Sequence, residues 1–165
     1  VGLSGQTNHP HLHLSLEKDG VDVDPFAPDA SLPCDTRQDG LWSVAVPYYD
    51  TGFYTASFSD RVPAFADVRS GAARRETLAP TDPLVLYGFF YLARPGDVLH
   101  FSARGPDGTV FDGTKPLDAP KKSQMQAQGR RAPAEGWPKG RYDGTVRLMR
   151  GDAVIALRHA HVTVE

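Results

Sequence analysis

His9, His11 and His13 stand at alternate positions in the run Asn8-His9-Pro10-His11-Leu12-His13-Leu14-Ser15-Leu16. On an extended strand successive side chains point to opposite faces, so all three imidazoles would share one face. Imidazoles gathered in this way are metal-ligand chemistry. Leu12, Leu14 and Leu16 hold the opposite parity, and Asp19-Gly20 is a hairpin signal leading into Val21-Asp22-Val23. The segment therefore reads as a β-hairpin with an imidazole face and a leucine face, closed by Asp24-Pro25-Phe26.

The other chemically capable residues are weaker. His159 and His161 form a second period-two pair but have no glycine-rich lead-in and no acidic neighbours, so they read as an ordinary exposed strand face. His100 stands alone on an alternating strand. Cys34 is the single cysteine, so no intrachain disulfide can form.

The elements that would position these groups belong to one all-β class. The chain has 165 residues, of which 40% are hydrophobic, enough for a real core. A formal net charge of -2 gives no electrostatic reason to expect nucleic acid as a partner. No run of apolar residues approaches the length of a membrane-spanning helix, so no transmembrane segment is expected. Val1-Gly2-Leu3-Ser4-Gly5 has no initiator methionine and no signal-peptide pattern, and reads as the middle of something longer.

Residues 27–34 lack periodicity and carry Pro28 and Pro33, which suits a linker. From residue 35 onward, short strand signals alternate with turns about every ten residues. Leu41–Val46, Gly52–Phe58, Leu84–Leu92, Val98–Arg104, Thr109–Phe111, Tyr142–Met149 and Ala153–Val164 read as strands, with 84–92 central and the last two forming a hairpin. Ala64–Thr77 could hold a short helix, and 121–131 is open between strand, helix and loop. The expected fold is an all-β, immunoglobulin-like antiparallel β-sandwich over residues 35–165, preceded by the hairpin unit 1–26.

The ordered set Gly2-x-x-Gly5-x-Thr7, Pro10-His11-Leu12-His13, Lys18-Asp19-Gly20 and Val23-Asp24-Pro25 resembles the end of the catalytic domain of the lysostaphin-type zinc endopeptidases, which cut peptide bonds in peptidoglycan. The resemblance covers residues 1–26. It implies that His13 is a zinc ligand and that His11 is a catalytic residue assisting the metal-bound water or the developing oxyanion. His9 matches no family role and is taken as a flanking polar residue. The cofactor implied is zinc, the substrate or partner a peptidoglycan peptide or a cell-envelope protein, and the location the bacterial cell envelope, periplasmic or extracellular.

The family completes its zinc site with a His-x-x-x-Asp motif far upstream of the matching segment. No histidine of this chain is followed four positions later by aspartate. One histidine cannot hold catalytic zinc, so this chain by itself is expected to be inactive. The alternative is a non-catalytic β-sandwich binding or interaction module of the cell envelope. Trp42, Tyr48, Tyr49, Phe53 and Tyr54 could line a sugar or peptide groove and Trp137 could be a surface anchor, although strand aromatics more often fill a core. A hairpin cut from its sheet would expose ladder groups, so it is expected to be disordered, to dock on the sandwich, or to self-associate with another copy.

Overall fold

A computed structural model describes residues 14–33, 35–120 and 122–165. Contacts divide the chain into two units, Val1–Tyr49 and Asp50–Glu165.

In the first unit, strands β1 (Leu16–Lys18) and β2 (Val21–Val23) form an antiparallel hairpin. Asp19 and Gly20 take positive φ of 56° and 78°, the left-handed pair that the two-residue turn requires. Leu16 opposes Val23 on one face and Glu17 opposes Asp22 on the other. No further strand joins this sheet among the described residues, so none of the described strands supplies the cover expected for the hairpin. Residues 27–33 carry no helix or strand, consistent with their prolines.

The expected strand at Leu41–Val46 is not formed, although its composition suits one. A strand needs a partner ladder, and this segment pairs with no strand among the described residues. Instead the Leu41 N–H bonds to the Pro25 carbonyl at 2.8 Å, and Trp42 packs against Phe26 with ring centroids 5.4 Å apart.

The second unit holds β3 (Gly52–Ser59), α1 (Phe65–Ser70), β4 (Thr77–Leu78), β5 (Leu84–Tyr91), β6 (Val98–Gly105), β7 (Gly108–Pro116), β8 (Ser123–Arg130), β9 (Gly140–Arg150) and β10 (Ala153–Val164). The segment left open at 121–131 is thus mostly strand. One sheet has the order β3-β5-β8 and the other β4-β10-β9-β6-β7. Consecutive β3 and β4 lie in different sheets, β4 runs parallel to β10, and the remaining pairs are antiparallel. This connectivity is an immunoglobulin-like antiparallel β-sandwich.

A tyrosine corner supports the same assignment. Tyr142 lies near the start of β9 at the crossing between sheets, and its buried hydroxyl donates to the Pro138 carbonyl at 2.9 Å. Phe53, Phe58, Leu84, Leu86 and Phe90 of the smaller sheet meet Leu99, Phe101, Val146, Leu148 and Val162 of the larger in one core. Burial of these side chains drives the packing of the sheets.

Strand β5 is buried on both faces, as its continuous apolar run suggests. Its inner face enters the main core. Val85, Tyr87 and Phe89 on its outer face meet Val68 of α1 and Ala73 in a second cluster. The short helix ends at Gly71, whose positive φ of 84° suits a glycine cap.

Candidate functional site

His11 and His13, the residues assigned to catalysis and zinc, and His9 lie outside the described residues. The hairpin that follows them is formed, but no group of three or more His, Cys, Asp or Glu suited to a metal ion occurs among the described residues.

The other histidines occupy the outer face of the five-stranded sheet. His100 on β6 stands between two charged groups: Arg147 Nη1 lies 3.1 Å from its Nδ1, and Asp112 Oδ1 lies 2.8 Å from its Nε2. A guanidinium has no acceptor, so Nδ1 accepts and Nε2–H donates to Asp112, which fixes the tautomer. His159 pairs with the Thr145 hydroxyl at 3.2 Å across β9 and β10. His161 opposes Asp143 in the same ladder. These are cross-strand polar pairs on a sheet face, the arrangement expected for His159 and His161 from the sequence.

The five aromatics considered for a groove separate into four environments. Trp42 and Tyr48 join Phe26 in a cleft of about 500 Å3 in the first unit, rimmed by Arg37 and Asp39. The buried Trp42 Nε1–H has no hydrogen-bond partner among the described residues. Tyr49 is exposed, and Phe53 is in the sandwich core. Tyr54 stands on the outer face of the smaller sheet.

Trp137 is not a surface anchor. It is buried, its backbone N–H donates to the Pro80 carbonyl at 2.8 Å, and its indole N–H donates to the Asp82 carbonyl at 2.9 Å. Those two bonds satisfy its polar groups inside the core, where its ring meets Tyr142 edge-on at 6.2 Å. Trp137 and Tyr142 also wall a smaller cleft of about 250 Å3, with Asp107, Glu135 and Arg130 at its lining.

The feature that sequence reasoning missed is an aromatic cluster around Tyr54. The β3–β5 register slips between Phe53 and Thr55, which makes Tyr54 the extra residue of a bulge. Its ring centroid lies 4.5 Å from that of Phe89 and 4.9 Å from that of Tyr91, both on β5. Phe65, at the start of α1, meets Phe89 edge-on at 5.4 Å. Burial pushes the Tyr54 hydroxyl pKa up, and neighbouring Tyr91 adds to the shift. A bulge cannot be read from a single sequence, and Phe65 lay in a segment whose structure was open.

No family model matches the chain, and no curated protein does. Among solved structures, a putative β-galactosidase from Bacteroides fragilis aligns with 70% of this chain and 18% of its own, at 10% identity and a TM-score of 0.44. The CARDB domain of a Pyrococcus furiosus protein, in complex with two metal ions, aligns with 79% of this chain and 98% of its own, at 11% identity and TM-score 0.39. A β-glucosidase from Listeria innocua in complex with gluconolactone aligns with 81% of this chain and 19% of its own, at 10% identity and TM-score 0.38. The chain thus spans less than a fifth of the length of either glycosidase.

Proposed function

We propose that this chain joins the closing strands of a lysostaphin-type zinc endopeptidase domain to an immunoglobulin-like sandwich that serves as a non-catalytic module at the bacterial cell envelope. The observation that carries this reading is the ordered motif set from Gly2 to Pro25, in which His11 and His13 fall at the family's catalytic and ligand positions. The formed Asp19-Gly20 turn and the Leu16–Val23 register agree with it. Zinc would polarise the scissile peptide carbonyl and supply an activated water. In this chain alone His13 would be its single family-derived ligand. The ladder edges of β1 and β2 that no described strand pairs would be covered by neighbouring strands of a complete catalytic sheet, or by a second copy of the chain.

Zinc titration of a protein extended upstream tests the reading. The expected result is one tightly bound zinc per chain, lost in His13→Ala, with hydrolysis of purified peptidoglycan abolished in His11→Ala while zinc is retained. An extended protein with no His-x-x-x-Asp segment and no zinc overturns it. The sandwich would then stand as a binding or interaction module in its own right, a reading favoured by its complete core, which holds residues from both sheets.

A further inference from the structure

We infer that the outer face of the three-stranded sheet around Tyr54 is a carbohydrate-binding surface that takes an uncharged oligosaccharide by stacking pyranose rings on Tyr54, Tyr91 and Phe65. Three separate features converge there.

The first is the bulge. It adds one residue to β3 and turns Tyr54 onto the sheet face, where the side chain remains 49% exposed although its ring touches two other rings. Bulges that re-aim a side chain cluster beside functional sites. Gly52 assists. It pairs with Tyr91, and a Cβ there would stand 2.7 Å from the Tyr91 hydroxyl oxygen, so the glycine lets that ring lie across β3 toward Tyr54.

The second is strained backbone immediately after Tyr91. Leu92 has a positive φ of 50°, uncommon for a residue with a branched side chain, and exposes 53% of its surface. Its conformation is held by the Leu92 N–H donating to the Lys122 carbonyl at 3.2 Å and by the Thr51 hydroxyl donating to the Leu92 carbonyl at 3.0 Å. Such strain persists where the surroundings over-determine it, and it concentrates at functional positions.

The third is the chemistry of the face. The buried Phe89 forms its floor, and the half-exposed Tyr54 and Phe65, 40% exposed, flank it. The registers place Thr55, Ser123 and Met125 beside the rings on the same face. None of the outward positions on β3, β5 and β8 carries a charge, so the surface offers rings and hydroxyls but no ion pair. Charges lie at the margins of the face rather than on its strands: Arg74 and Arg75 act on the outward Tyr87 at the far end from Tyr54, and Lys122 precedes β8. The negative faces of aromatic rings suit the C–H faces of a sugar, and the hydroxyls suit its rim. A charged peptide would find no counter-ion on these strands, and a strand-adding peptide needs a sheet edge rather than a face.

This goes beyond the peptidase reading and does not depend on it, because the site lies in the second unit and uses none of the residues from Gly2 to Pro25. Titration of the isotope-labelled full chain with cellohexaose and with chitohexaose, followed by two-dimensional NMR, tests it. At least one of the two sugars is expected to give saturable shifts concentrated at Tyr54, Phe65, Tyr91 and Leu92. Tyr54→Ala should weaken binding about tenfold, the scale of one lost aromatic contact, while Tyr48→Ala, in the other unit, leaves it unchanged. The inference is overturned if neither sugar gives saturable shifts at millimolar concentration. It is also overturned if the shifts map to the His159–His161 face, or if a folded Tyr54→Ala chain binds as tightly as the original.

Discussion

Asp97 and Arg150 meet in a two-point ion pair, with Nε donating to Oδ1 at 2.8 Å and the second guanidinium nitrogen donating to Oδ2 at 2.9 Å. Oδ2 also accepts the Arg94 backbone N–H at 2.8 Å, which closes the turn into β6. The pair therefore ties the β5–β6 turn to the end of the β9–β10 hairpin. Only 1% of the Asp97 side chain is exposed, against 32% of Arg150, so the carboxylate depends on these partners for the hydrogen bonds that water would supply.

Removing the charge from Asp97 should be costly. Asp97→Asn is expected to destabilise the sandwich by about 2–4 kcal/mol, because the guanidinium loses its counter-ion while staying half-buried. Hydrogen bonds from Arg150 hold the Asp97 carboxyl below its usual pKa, outweighing the opposing effect of burial. A depressed carboxyl contributes stability that is present above its unfolded value and is lost as pH falls through the native one. Urea midpoints should therefore drop below about pH 4 in the original chain and drop less in Asp97→Asn. An equal acid loss in both proteins would remove Asp97 as its source.

Gly144 should tolerate no side chain. A Cβ there would stand 2.7 Å from Phe58 Cζ and 2.9 Å from Leu86 Cδ1, across the gap between the sheets. Gly144→Ala is expected to cost about 1–3 kcal/mol by overpacking. Adding Phe58→Leu should recover part of that loss, because the two changes share one space. Additive denaturation midpoints in the double variant would show that the contact is not the cause.

Much of this architecture was legible because inward and outward residues alternate. Leu99, Phe101 and Ala103 on β6 are buried and alternate with more exposed neighbours, and Tyr142, Gly144, Val146 and Leu148 on β9 do the same. The run Leu84–Tyr91 reads as a doubly covered strand for a related reason, since α1 covers its outer face. Leu41–Val46 misled because β propensity measures fit to a sheet and this segment joins no sheet among the described residues. Trp137 misled because its two hydrogen bonds to Pro80 and Asp82 are long-range and invisible locally. The Tyr54 cluster was hidden by its bulge, which shifts parity by one residue.

Tyr142 links the corner to alkaline stability. Tyr142→Phe removes the bond to Pro138 and leaves the partly buried carbonyl without this donor, so a loss of about 1–2 kcal/mol is expected. Burial raises the Tyr142 pKa, and Asp107 adds to the shift. A raised phenol is stabilising below its unfolded value, and that contribution is lost as pH rises through the native one. Above about pH 10 the original chain should lose stability more steeply than Tyr142→Phe. Parallel alkaline limbs in pH-dependent denaturation would count against this tyrosine as the titrating group.

Leu92 gives a prediction of the opposite sign. At a φ of 50° its side chain crowds its own backbone, a cost of roughly 1–2 kcal/mol that glycine does not bear. Glycine forfeits some of that gain through the greater freedom of the unfolded chain, and little apolar burial is lost because Leu92 is mostly exposed. Leu92→Gly should therefore raise stability by about 0.5–1 kcal/mol, read as a higher urea midpoint with an unchanged slope. The Thr51 bond to its carbonyl involves only the Leu92 backbone and should survive, so Thr51→Val should destabilise the original and the Leu92→Gly chain alike. A lower midpoint in Leu92→Gly would mean that the leucine side chain contributes more through packing than its backbone strain costs.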